Sequence, residues 1–231
     1  MTRLNRIQKT ILSLLLFIGA GTTLAASCLE NPYFPVVEGQ SLSYNNESSE
    51  KFMTQTITSV ASDSFTMHMD LHDIGESAEA EYLCTDEGIL AVDLGSMMNT
   101  LDMDIDVNFE IISMEGATFP NTWDEGHTWD SEVVMEMKMT VEGMPVDSVI
   151  TVNTTSTIVG TEDVSVPAGD FSTVHIASNA DVSMSMSMMG MEMPLPGVET
   201  RSDAYLADGV GMVLNTDEDG GRMELVDYTA P

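Results

Sequence analysis

The sequence predicts an all-β protein: a single antiparallel, meandering sheet curled into an open or closed barrel, with a β-sandwich as the second choice. Apolar and polar residues alternate almost from end to end, most regularly at 65–71 and 103–111. This period of two is typical of strands with one dry and one wet face, which favour antiparallel pairing. Turn-forming clusters of Asp, Gly and Pro separate about a dozen such segments. Hairpins in that number tend to curl, because curling protects their edges.

Glycine and proline mark the sharpest predicted turns. Pro167 fixes one backbone angle and Gly169 permits a positive one, so together they predict a tight hairpin. Gly209 and Gly211 interrupt a strand-like stretch and predict a bulge or a sharp bend. The segments that could hold a helical turn are 74–80 and 95–101.

The amino-terminal segment has the layout of a secretory signal. Three basic residues precede an apolar run at 11–21, and small residues then offer cleavage after Ala25 or Ala26. The apolar run is too short to span a bilayer, which needs about 20 residues. We therefore expect a signal peptide at 1–26 and one exported all-β domain at 27–231, periplasmic or extracellular, without a transmembrane segment.

The two cysteines allow two interpretations. Cys28 follows a segment that loosely resembles a lipoprotein processing site, and acylation there would anchor the protein to a membrane and leave Cys84 unpaired. Cleavage upstream would instead let Cys28 and Cys84 pair in an oxidising compartment. That disulfide would stabilise the fold by about 4 kcal/mol in the chain-entropy model. We favour the disulfide and keep lipidation of Cys28 as the alternative.

The charge of the chain excludes several classes of partner. The formal net charge is −31, and removal of three basic residues with the signal peptide makes it −34. Such a field repels nucleic acids and anionic lipid surfaces, so we expect neither as a partner. High negative charge also serves solubility or life in salt, and that interpretation comes before a specific cation site.

Methionine is unusually frequent, with 20 residues in the chain. Met184, Met186 and Met188 alternate in one predicted strand, and Met191 and Met193 follow. Thioethers are soft ligands that select Cu(I), so these five are the candidate ligands of a metal site. Other strands place Phe, Ile and Val at equivalent positions, and Met fills irregular gaps, so core packing is the first expectation. A deformable apolar cavity for a lipid-like ligand is a third interpretation.

The sequence predicts no catalytic residues and no cofactor, and a hydrolase with a pair of catalytic carboxylates is a third alternative. It lacks a nucleophile elbow, a phosphate-binding glycine loop and a His-Glu-x-x-His motif. His68 and His72 would stand about 13 Å apart on a strand, too far to share a zinc ion. Acidic clusters at 102–106 and 215–220 suggest calcium, but the second lacks the bidentate glutamate of a calcium loop. We interpret the first cluster as a solvent-exposed strand face and the second as a hairpin turn.

Several short segments together resemble the TapB-like group of bacterial exported proteins, a domain of unknown function. These segments are 28–35, 84–88, 126–129, 166–171 and 207–213. The resemblance implies a secreted or lipid-anchored all-β domain with no established activity. We therefore expect a non-enzymatic exported or envelope domain that binds an apolar ligand or another envelope component, with Cu(I) binding as the alternative.

Overall fold

The computed structural model describes residues 30–47, 49–93, 107–141, 144–188 and 191–229, and within them it forms one sheet of fourteen antiparallel strands. The strands are β1 (Ser41–Asn46), β2 (Ser49–Val60), β3 (Ser64–Leu71), β4 (Glu76–Cys84), β5 (Gly88–Asp93), β6 (Val107–Gly116), β7 (Phe119–Pro120), β8 (Thr128–Val141), β9 (Met144–Val166), β10 (Gly169–Met188), β11 (Met191–Pro194), β12 (Val198–Ala207), β13 (Gly211–Asp217) and β14 (Arg222–Thr229). The all-β, antiparallel prediction is confirmed. No helix in these ranges is long and apolar enough to cross a membrane.

Some sequence-based predictions fall outside the described residues. These are the signal peptide, Cys28, the helical turn at 95–101 and the acidic cluster at 102–106. The helical turn expected at 74–80 is wrong, because β4 begins at Glu76 and pairs with β3 from there on. Burial of Ala78, Ala80 and Tyr82 on one face explains why this segment is extended.

The sheet curls because its two edge strands are joined by a very short link. The strand order is β6-β8-β9-β10-β12-β13-β14-β1-β2-β3-β4-β5-β7, so β6 and β7 lie at opposite edges. Only Ala117 and Thr118 separate them in the chain. The Thr118 N–H donates to the Ile89 carbonyl at 2.7 Å, and Trp129 Nε1 donates to the Ala117 carbonyl at 3.1 Å. The edges therefore meet at this link, while no ladder between the described edge strands closes the barrel.

The larger core cluster fills the half of the curl formed by β1 to β5 and β13 to β14. In β3 every second residue is buried, which follows the predicted alternation and includes Met67 and Met69. Tyr44, Phe65 and Leu225 are at most 1% exposed. The Tyr44 hydroxyl donates to the Met212 carbonyl at 2.9 Å. A smaller cluster packs beside it and consists of Ile158, Val174, Ile176 and Leu206.

The segment before β1 plugs this half of the barrel. Asn31 Oδ1 accepts hydrogen bonds from the backbone N–H groups of Tyr33 and Phe34, and its Nδ2 donates to the Pro120 carbonyl. The Phe34 ring then stacks on Phe119 with centroids 4.4 Å apart. The plug is thus attached to β7, the edge strand beside the link.

The predicted glycine and proline turns occupy hairpin ends. Pro167 and Ala168 separate β9 from β10, and Gly169 opens β10 with φ +143°. Gly209 lies in the turn between β12 and β13 with φ +71°, and Gly211 begins β13. Both pairs therefore lie where the chain reverses between neighbouring strands.

A substitution of Gly116, at the end of β6, tests how much the link at Ala117 and Thr118 contributes to stability. The φ of Gly116 is +82°, and a Cβ there would collide with the backbone carbonyl of Asp130. Gly75 has a similar φ of +72° but faces open space, so it is a matched control. We expect Gly116→Ala to lower the free energy of unfolding by about 3 kcal/mol and Gly75→Ala by about 1 kcal/mol. Urea unfolding measures both, and equal losses would show that the link tolerates displacement.

Tyr82 makes the fold sensitive to alkaline pH. Burial raises the pKa of Tyr82 to about 12, from about 10 in an unfolded chain. The folded state therefore holds the Tyr82 proton more tightly than the unfolded chain does. The contribution of protonated Tyr82 to the free energy of unfolding is complete below pH 10 and is lost as pH rises to about 12. Between pH 10 and 12 the free energy of unfolding of the wild type falls as pH rises. We expect Tyr82→Phe to make this slope shallower by about 1.4 kcal/mol per pH unit. Urea unfolding between pH 9 and 12 measures the slope. Tyr228→Phe, at an exposed position, is the matched control.

Candidate functional site

The candidate site lies on the inward face of four neighbouring strands, β8, β9, β10 and β12. Side chains on this face form rows that cross the strands, set by the register of the ladders. From the core outward the rows are Ile158–Ile176–Ala204, Trp129–Ser156–Ser178–Ser202, Ser131–Thr154–Ala180–Thr200, Val133–Val152–Val182–Val198 and Met135–Ile150–Met184, and a further row that includes β11 is Met137–Ser148–Met186–Met193. The face therefore changes from hydroxyl rows to a valine row and then to methionine rows.

A cavity of about 370 Å³ lies over the hydroxyl rows. Tyr82 and Ala91, on β4 and β5, also line it, so the cavity lies inside the curl between facing parts of the sheet. The Ser156 and Ser178 hydroxyls are 2.8 Å apart and hydrogen-bonded to each other. No charged side chain is among the described residues that line the cavity. Its serine and threonine side chains are Thr118, Ser131, Thr154, Ser156, Ser178, Thr200 and Ser202.

A wider cleft of about 880 Å³ adjoins the cavity, and the two share Ala117, Ser131 and Thr154 in their linings. His127 stacks on Trp129 at the cleft, with ring centroids 5.9 Å apart. Carboxylates dominate the charge of this acidic cleft, so it repels anions that approach the cavity from this side. They belong to Asp86, Glu87, Glu115, Asp130 and Glu132.

The candidate soft-metal ligands lie on β10 and β11. Met184 and Met186 are half-buried, whereas Met191 is 62% and Met193 43% exposed. Met186 pairs with Met193 in the ladder, and Met188 pairs with Met191. The expectation of core packing is therefore wrong for Met191 and Met193. In the described part of the sheet β11 pairs with β10 alone, so it lies at a free edge.

Ser148 is a buried polar residue that the sequence does not reveal. It is 1% exposed, it lies between Met137 and Met186 in its row, and its hydroxyl makes no hydrogen bond. An unpaired buried hydroxyl costs about 1–3 kcal/mol. One serine in an alternating strand carries no sequence signal, so this position emerges from the structure alone.

Three of the four histidines, His68, His72 and His175, pair with a carboxylate or hydroxyl group. His68 Nε2 lies 3.2 Å from Asp70 Oδ1, and His72 Nε2 lies 2.9 Å from Thr54 Oγ1. Among the residues described, no group of three His, Cys, Asp or Glu side chains could hold a metal ion. Cys84 ends β4, and since its proposed partner lies outside the described ranges, both the disulfide and lipidation of Cys28 stay predictions.

A second histidine–carboxylate pair lies away from the cavity. His175 Nε2 is 2.7 Å from Asp203 Oδ1, and its ring stacks on Tyr205 with centroids 4.6 Å apart. Burial, followed by the charges of Glu162 and Asp203, raises the pKa of Tyr205. His175, Asp203 and Tyr205 line neither the cavity nor the acidic cleft. They tie β10 to β12 and add nothing to the candidate site.

Comparison with known proteins identifies a family and a few distant structures. A family model described as DUF3108-like matches residues 40–225. A sequence search of curated proteins finds no match. The TapB-like resemblance stays a prediction.

Three solved structures resemble the chain at low sequence identity. A Bacteroides fragilis protein described as exported, with a YmcC-like fold, has 14% identity and a TM-score of 0.48 over 86% of this chain and 99% of that one. A Parabacteroides distasonis protein described as a lipoprotein has 11% identity and a TM-score of 0.48 over 86% and 98%. The hypothetical lipoprotein YmcC from Escherichia coli has 7% identity and a TM-score of 0.35 over 100% and 98%. Likenesses this distant indicate nothing about function.

Proposed function

The chain belongs to the DUF3108-like family, a family of unknown function, and we propose that it is a non-enzymatic exported domain that binds an apolar, lipid-like ligand. The ligand lies on the valine and methionine rows of the inward face. The observation that carries the proposal is that most positions of these rows stay partly open to solvent although they face into the curl, whereas Met137 and Ser148 are buried. The secretory layout of residues 1–26 supports a periplasmic or extracellular location.

Three exposed apolar side chains lie together at one end of this face. Val198 is 57% exposed, Met193 43% and Leu195 38%. Register places Val198 in the valine row and Met193 in a methionine row, so they continue the half-buried rows of the longer strands. Contiguous exposed apolar surface marks binding sites in soluble proteins. Each Å² that a ligand removes from water contributes about 25 cal/mol.

The size and softness of the face suit a flexible chain. From Val182 to Met186 on β10 the half-buried positions of the face extend about 13 Å at the usual rise of a strand. Methionine side chains are unbranched and adapt their shape, as promiscuous apolar surfaces require. An apolar segment of another envelope component would meet the same surface, so an assay with a small apolar probe tests the surface itself.

A charge placed in the valine row tests this site. Val182 is half-buried in the row, and its neighbour Ser183 is exposed and points to the other face of β10. We expect Val182→Asp to weaken binding of the neutral dye 1-N-phenylnaphthylamine at least tenfold, because a carboxylate on an apolar face lacks a partner. Ser183→Asp is the matched control and should bind as the wild type does. Dye fluorescence measures affinity, and circular dichroism checks folding.

The proposal fails if the wild-type protein leaves the dye fluorescence unchanged. It also fails if Val182→Asp, with an unchanged fold, binds the dye as tightly as Ser183→Asp does.

Cu(I) binding is a second candidate function, favoured by the ladder pairs of β10 and β11. Met186 lies directly opposite Met193, and Met188 opposite Met191. Residues opposite each other in a ladder have Cβ atoms about 5 Å apart, close enough for long side chains to converge on one ion. Thioether sulfur is the ligand type that Cu(I) prefers.

Isosteric substitution separates the two functions. Leucine keeps the apolar volume of methionine but removes the sulfur. If the apolar-ligand proposal holds, the double variant Met186→Leu/Met193→Leu keeps dye affinity within about threefold, and the wild type retains no copper after Cu(I) loading and gel filtration. A metal carrier would instead retain about one Cu(I) per chain as the wild type and lose it in the double variant.

A further inference from the structure

We propose that the hydroxyl rows form a headgroup subsite for an uncharged, hydroxyl-bearing lipid such as a monoacylglycerol. The acyl chain would lie on the valine and methionine rows, and the glycerol ester would enter the 370 Å³ cavity. This inference rests on the proposed function and adds the chemical class of the ligand. It is carried by the lining of the cavity and by the charge around it.

The lining matches a head that both donates and accepts hydrogen bonds. Serine and threonine hydroxyls do both, and seven of these side chains border the cavity. Ser156 is only 7% exposed, and the described hydrogen bond of its hydroxyl is to Ser178. A glycerol ester offers hydroxyl donors together with carbonyl and ether acceptors. It can therefore form hydrogen bonds with the serine and threonine hydroxyls of the cavity, which a hydrocarbon would leave without partners.

The charges around the cavity disfavour an anionic head. A carboxylate or phosphate in the cavity would meet no lysine or arginine among the lining residues. Lys138 is paired with Glu136 at 2.8 Å, and Arg222 with Glu224 at 2.6 Å. The adjoining acidic cleft would repel the anion further. A buried charge without a partner is strongly unfavourable, so fatty acids and phospholipids should bind less well.

A cationic head is disfavoured for a related reason. The carboxylates of the acidic cleft attract cations, but no carboxylate lines the described cavity. A cation that entered the cavity would leave water without gaining a counter-charge there. A cationic amphiphile would therefore keep its head in the cleft and lose contact with the hydroxyl rows.

The direction of the lipid follows from the strand itself. On β10 the inward residues run Ser178, Ala180, Val182, Met184 and Met186 in steps of two. A head at Ser178 places the first part of an acyl chain over Val182 and the rest over the methionines. The inward face of β10 thus changes from polar to apolar along the strand, as a neutral amphiphile does from head to tail.

Amphiphiles that share one palmitoyl or hexadecyl chain test the headgroup. The probes are monopalmitoylglycerol, palmitate, palmitoyl-lysophosphatidylglycerol and hexadecyltrimethylammonium, each used below its micelle concentration to displace 1-N-phenylnaphthylamine from the mature protein. We expect the glycerol ester to bind at least tenfold tighter than each charged probe. Equal or tighter binding of any charged probe overturns the headgroup assignment.

Serine variants locate the subsite. We expect Ser156→Ala/Ser178→Ala to weaken binding of the glycerol ester about tenfold and leave the dye affinity unchanged. The matched control is Ser183→Ala/Ser185→Ala, two exposed serines on the opposite face of the same strand. Thr200→Val, at an exposed lining position, is a second test that does not disturb the Ser156–Ser178 hydrogen bond and should weaken the ester severalfold.

The outcomes separate this inference from the proposed function. Unchanged ester affinity in the folded serine variants overturns the subsite while dye binding still supports the apolar face. Failure of the wild type to bind the dye and all four amphiphiles overturns both.

Discussion

The link formed by Ala117 and Thr118 is the constraint on which the rest of the structure depends. It joins the two strands that lie farthest apart in the sheet order, so the sheet must curl until its edges meet. Curling gives the sheet an inside, where every second residue of each strand points. The plug that starts at Asn31 is bonded to the same edge, through the Pro120 carbonyl. One end of the inside is therefore sealed by aromatic packing, and the unsealed remainder holds the candidate site.

The unequal lengths of the strands explain why the site is open. Strand β9 has 23 residues and β10 has 20, whereas β4, which lines the same cavity through Tyr82, has 9. The long strands thus continue past the part of the barrel that the short strands can cover. Side chains such as Met193 and Val198 keep the inward register but have no described wall opposite them. The face is apolar because it follows the barrel pattern. It is exposed on β11 and β12, whereas Met137 and Ser148 on the same face are buried.

Alternation predicts the strands and their two faces well, as β3 with its buried Met67 and Met69 demonstrates. It does not tell which strand covers which face, because that depends on sheet order and strand length. For this reason the sequence predicts Met191 and Met193 in the core, whereas they lie exposed at a free edge. The hydroxyl cavity is also hidden from the sequence. Its residues come from several strands and form rows only through the ladder register, so no motif announces them.

The proposed ligand accounts for features that the fold alone leaves costly. Exposed valine and methionine side chains on a curved face, and serine and threonine hydroxyls around a cavity, each add free energy to the protein without a ligand. A bound lipid would supply apolar cover to the first of these and hydrogen-bonding partners inside the cavity. Its free energy of binding would then stabilise the fold by mass action. The strong negative charge of the chain fits this arrangement, because it keeps an apolar-faced protein soluble while no charged side chain is among the described residues that line the cavity.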